Sequence, residues 1–140
     1  MKVLFIVLSL ISVTILGGCL NQGTKMVLLD EEIVKIEFSP SKGVGSTNAD
    51  VSVSFEDSHS IKVLEQVIKH SVEKKVDVHK EPDYDLVVSY GDQLPMHAIH
   101  LWLGNEGEES ILMYMVGEGE TFKTTTTATK QLRELIVQNQ

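Results

Sequence analysis

The sequence predicts a two-layer α+β domain behind an N-terminal leader. A mainly antiparallel sheet of five to six strands carries two helices on one face. Three observations point there. Apolar and polar residues alternate over 33–38 and 51–55, the period of half-buried strands. Residues 84–123 form a run of apolar segments closed by short glycine-bearing loops, which reads as a meander. Two further stretches, after Asp57 and after Thr124–Thr127, place apolar residues at helical spacing.

The leader comes first. Met1-Lys2 is a short positive start, and Val3–Leu16 is an apolar run softened only by Ser9, Ser12 and Thr14. That run is too short for a comfortable membrane span, which needs about 20 residues. A basic start, an apolar stretch and small residues at the cut are the three parts of a secretory leader. Leu16-Gly17-Gly18-Cys19 resembles the lipobox of bacterial lipoproteins. The resemblance implies that residues 1–18 are a cleaved signal peptide and that Cys19 carries a diacylglyceryl group and an N-acyl chain. Two or three acyl chains, at about 0.8 kcal/mol per buried methylene, make such attachment effectively permanent. Residues 19–26 are then a lipidated N-terminus and short tether, and 27–140 a single domain.

Val34, Ile36 and Phe38 share one face of the first strand, with Lys35 and Glu37 on the other. Residues 39–48 are rich in turn formers. Val51, Val53 and Phe55 mark a second strand. Asp57 or Ser58 caps a helix with Ile61, Leu64, Ile68, Ser71 and Val72 on one side, ending near Lys74-Lys75. Tyr84–Tyr90, Met96–Leu103 and Ser110–Val116 read as strands, with a short last one at Glu120–Lys123. Ala128, Leu132, Leu135 and Ile136 line one face of a closing helix.

Composition narrows the function. Beyond the leader the chain has 11 basic and 20 acidic residues. Nucleic acid demands a cationic footprint, so it is a poor partner. Anionic lipid would repel the domain, so only a covalent anchor would hold it to a membrane. Cys19 is the single cysteine, which excludes an intramolecular disulfide and a cysteine-rich zinc site.

No sequence motif assembles a catalytic, metal or cofactor site. There is no nucleophile elbow, P-loop, dinucleotide fingerprint or paired-histidine zinc motif. His97 and His100 are three apart on a strand, so they point to opposite faces and cannot chelate one ion. His59, His70 and His79 read as solvated. Asp83 and Asp85, with Glu81 and Asp92 nearby, supply an incomplete ligand set for calcium, which takes about six oxygens or more. They read instead as a charged strand edge that discourages edge pairing. Glu106, Glu108 and Glu109 fall in a turn. Trp102, with Tyr84, Tyr90 and Tyr114, supplies most of the large aromatic area. They are either packing or a binding patch on an uncovered sheet face, because the His100/Trp102 row and the Ile99/Leu101/Leu103 row make both faces apolar.

Glu81-Pro82-Asp83-Tyr84-Asp85-Leu86-Val87-Val88-Ser89-Tyr90, then Leu101-Trp102-Leu103, and the Phe55-Glu56-Asp57 entry to the helix resemble small lipoproteins of the YhfM type from Gram-positive, spore-forming bacteria. The resemblance implies an outward-facing domain anchored to the cell membrane, and brings no catalytic residues. The expected function is a non-catalytic interaction module whose partners are the membrane, through the lipid, and another envelope protein. The alternative is an envelope hydrolase or metal-dependent enzyme built from distant residues such as Asp83, Asp85, His97 and His100. An enzyme needs a concave pocket with converging polar groups.

Overall fold

The structure, a computed structural model, describes residues 23–46 and 48–140. The leader and Cys19 lie outside the described residues. Seven strands form one sheet: β1 (Lys35–Pro40), β2 (Val53–Phe55), β3 (Val72–Glu73), β4 (Tyr84–Ser89), β5 (His97–Trp102), β6 (Ile111–Tyr114) and β7 (Thr121–Lys123). Their spatial order is β2-β1-β4-β5-β6-β7-β3, and every neighbour is antiparallel. The expected meander is the continuous block β4-β5-β6-β7. Among the described residues two helices, α1 (Ser58–His70) and α2 (Thr126–Gln138), give the α+β fold.

The period-two pattern decides which face the helices cover. Phe38, Leu86, Ile99 and Tyr114 are paired across β1, β4, β5 and β6 in one row. Leu101, Leu112 and Phe122 are paired in the next. Ile61, Leu64, Val67 and Ile68 of α1 and Leu132 and Ile136 of α2 close over these rows in one core. Each such side chain contributes roughly 1.5–3 kcal/mol on full burial.

Capping sets the helix starts. The Asp57 carboxylate accepts the Ser60 N–H at 2.9 Å, and Thr125 Oγ1 accepts the Ala128 N–H at 3.1 Å. The Ser60 N–H also holds the Asp57 carboxyl below its ordinary pKa. Helix α1 stops at His70, earlier than the periodicity predicts. Ser71 is extended, and Val72 and Glu73 become β3 beside β7. Two residues show no strand periodicity, and β3 exists only because β7 offers it a ladder.

The N-terminal segment adds to the same edge. Lys25 bridges Val72, Glu73 N–H donates to Thr24 O at 2.7 Å, and Met26 N–H donates to Ser71 O at 3.1 Å. Residues 26–33 then run as a strap along the helix-covered face, burying Met26, Leu28 and Ile33. Two tyrosines hang it in place. Tyr114 Oη accepts the Val27 N–H and donates to the Val27 carbonyl, and Tyr90 Oη accepts the Leu29 N–H at 3.2 Å.

Topology then covers the other face. β3 lies at one edge and β4 four places away, so the connector 74–83 must cross over β7, β6 and β5. It is tied down along the way. Lys74 N–H donates to Thr121 O, Val76 N–H to Thr121 Oγ1, and the Trp102 indole N–H to Lys80 O. The Glu81 carboxylate accepts the Val44 N–H, joining the β1–β2 loop to the connector.

Candidate functional site

Two places concentrate polar chemistry: a closed pair beneath the connector and an open groove at one end of the sheet. The pair is Asp85 and His100, neighbours across β4 and β5. Asp85 Oδ1 and His100 Nδ1 are 2.8 Å apart, with both side chains almost fully buried. Asp85 Oδ2 and His100 Nε2 are buried and find no partner among the described residues. The expected charged edge is therefore wrong on two counts. β4 is an interior strand between β1 and β5, and Asp85 faces a histidine rather than solvent. Asp83 is bound locally: its Oδ2 accepts the Leu103 N–H at 2.8 Å and meets Lys80 Nζ at 3.3 Å.

His97 lies on the opposite face from His100, as strand alternation requires. Its ring sits between Tyr90 and Tyr114, with centroids 5.7 and 5.9 Å away. Tyr90 Oη is 2.9 Å from His97 Nδ1. That phenol oxygen also accepts the Leu29 N–H, and with His97 in its Nε2–H tautomer the phenol donates to Nδ1. Burial lowers the His97 pKa and raises those of Tyr90 and Tyr114, so all three are held neutral. Among the described residues no three histidine, cysteine, aspartate or glutamate side chains converge as a metal site.

The groove lies where β4 begins, β5 ends and β6 begins, and measures about 640 Å³. Lys80, Asp83, Glu108, Glu109 and Arg133 supply its charges, with Tyr84 and Trp102 on its walls. Its rim is built on a hydroxyl network. Ser110 Oγ accepts the Gly104 N–H and lies 2.8 Å from Thr129 Oγ1, while Thr124 Oγ1 accepts the Ser110 N–H. Arg133 of α2 reaches across to donate to the Gly104 carbonyl at 3.2 Å. Glycine is needed there, since a Cβ at Gly104 would stand 2.5 Å from the Glu109 carbonyl oxygen.

Of the two readings of Trp102, Tyr84 and Tyr90, packing or an exposed patch, the burial of two of them favours packing. Trp102 is only 4% exposed, because the connector covers it and takes its indole proton. Tyr90 is buried under the strap at the other end of β4. Tyr84 alone is partly exposed, on the helix side, with its Oη taking a hydrogen bond from Gln140. Sequence reasoning missed Arg133, Lys80 and the Ser110–Thr124–Thr129 network. An arginine on a helix facing a glycine turn carries no local signal of its cross-chain partner.

The family model of the YhfM protein matches residues 30–140. The chain belongs to the YhfM family. The match runs from the strap to the end of α2, so connector, buried pair and groove all fall inside the YhfM region. No curated protein and no solved structure matches.

Proposed function

We propose that this YhfM-family chain is a membrane-anchored, outward-facing lipoprotein whose domain is a non-catalytic binding module. Cys19 provides the anchor, and the groove between Tyr84, Trp102 and Arg133 receives a polar segment of another envelope protein. One observation carries the binding reading. The groove falls in the size range of ligand sites, roughly 300–1,000 Å³, and charged groups of both signs converge in it. Mixed charge suits a polar peptide better than an anionic polymer.

The test places a photo-crosslinking residue at Glu108 or at Gln66, in the cleft between α1 and the start of α2, in the anchored protein. The binding reading expects a discrete adduct from position 108 that Arg133→Glu abolishes. Identical adduct patterns from both positions, or none from 108, would sink it.

A second reading has one observation in its favour. Asp85 and His100 have the 2.8 Å spacing of an oriented acid–base pair, one part of the machinery some hydrolases use. Their outer atoms are closed off, so this reading requires the connector to lift. It predicts hydrolysis of an envelope substrate that disappears in a folded His100→Gln variant.

A further inference from the structure

The exposed apolar side chains are not scattered. Call the end where β1 begins, β4 ends, β5 begins and β6 ends the strap end; the groove occupies the opposite one. Val34, at the entry to β1, donates its N–H to Ser89 O at the end of β4. Leu94 and Met96 stand on the β4–β5 loop, and Val116 on the β6–β7 loop. All four are exposed, Met96 by 63% and Val116 by 89%. Val27, 67% exposed, adds the outer side of the strap. Of the eight large apolar side chains exposed among the described residues, these five belong to this end or to the strap that serves it.

The chain also leaves the domain toward this end. β3 pairs Val72 with Lys123 and Glu73 with Phe122, and Lys74 reaches Thr121, directly after the β6–β7 loop. Lys25 lies opposite Val72, and Thr24 accepts from Glu73. Moving back from Lys25 to Gly23 therefore moves toward Thr121 and the loop that carries Val116. Gly23 is pressed against this edge, where a Cβ would fall 2.7 Å from Val72 Cγ1. Cys19 is four residues further back. Four residues span at most about 14 Å.

We infer that the strap end is a bilayer-contacting face, with Leu94, Met96 and Val116 seated in the interfacial layer of the membrane that holds Cys19. The inference rests on the lipid-anchor reading. A short tether leaving from this end brings it to the lipid surface first, and exposed apolar loop residues gain by leaving water there. Asp92, Glu118 and Glu120 stand on the same two loops. They make the contact apolar rather than electrostatic, so the domain without its lipid does not bind anionic vesicles. The groove, at the other end of the sheet, then points away from the bilayer.

The test uses the full lipidated protein in vesicles containing headgroup-nitroxide lipid. With Cys19 acylated, a cysteine introduced at 96, 116, 44 or 137 is the single free thiol for a fluorophore. The expected result is quenching several-fold stronger at 96 and 116 than at 44 and 137, and loss of the difference in Met96→Asp/Val116→Asp proteins labelled at Leu94→Cys. Equal quenching at all four sites, with the protein still co-floating with vesicles, overturns the docked face and leaves the anchor intact. Failure to co-float overturns the anchor itself. Disulfide crosslinking of Met96→Cys between copies without quenching assigns the face to a second copy and refutes the membrane contact.

Discussion

Asp85 and His100 occupy the interior as polar groups, and their value to the fold lies in each other. Removing one leaves the other buried without its hydrogen-bond partner, which costs about 1–3 kcal/mol. Asp85→Val and His100→Leu singly are each expected to lower the urea midpoint strongly with an unchanged slope. The double substitution should recover part of the loss, with a coupling of about 1 kcal/mol or more. Additive single effects, measured by urea unfolding of all four proteins, would show that the pair is not a unit. Asp85 was misread from sequence because its partner is fifteen residues away across a hairpin. Spacing along one strand gives a side chain's face but not what covers that face.

His97 adds a pH dependence at the same scale. Burial depresses its folded pKa, so the unfolded chain binds the proton more readily. The contribution is fully present above about pH 6.5, the unfolded reference, and is lost as pH falls through the lower folded value. Protection of the Leu29 amide, corrected for the slower intrinsic exchange in acid, should therefore fall below about pH 6.5, since a protonated His97 can only donate to Tyr90 Oη. His97→Gln should flatten that dependence. An unchanged profile in the variant would assign the response to other groups. That His97 and His100 face opposite ways was legible from strand alternation alone; that His97 holds up a strap was not.

Elements were legible where periodicity had length to develop. The two helices and the β4–β7 block follow from apolar spacing, and the caps are narrowed to Asp57 or Ser58 and to a threonine within 124–127, though α1 ends at His70, short of the expected Lys74-Lys75. Thr125→Ala is expected to cost about 1 kcal/mol, with exchange quickening in the first turn of α2. A protein whose thermal midpoint and α2 exchange are unaltered would show the cap to be idle. β3 and the strap were not legible. A two-residue strand has no period, and the strap, with Asp30, Glu31 and Glu32 in its middle, has no regular one either; it is held by tyrosine hydroxyls contributed by β6 and by the residue after β4. Both elements are defined by what lies beside them in space.

At the scale of the whole molecule, strand order explains the site. Placing β3 at the far edge forces the connector across the second face, and that crossing buries Trp102 and the Asp85–His100 pair. The uncovered aromatic face expected from two apolar rows is thus filled by the chain itself. What stays open is the groove at the sheet end. Anchoring belongs to this scale too. Cys19→Ala is expected to shift the protein from the membrane fraction to the soluble one or to an uncleaved precursor. Processing and retention like the wild type, followed by fractionation and mass, would remove the lipid from the account.

The edge formed by Thr24, Lys25, Val72 and Glu73 also sets how the domain bears mechanical load. If the tether is pulled, tension enters at Gly23 along the strand direction, toward the strap end. The hydrogen bonds from Glu73 to Thr24 and from Met26 to Ser71 then share it in shear instead of opening one after another. Behind them the strap is clamped by Tyr114 and Tyr90 before the chain enters β1. Forced opening is governed by a rate rather than an equilibrium. Drag on a bound partner would thus be resisted first by these few bonds and two phenols, before the seven-stranded sheet carries any of it.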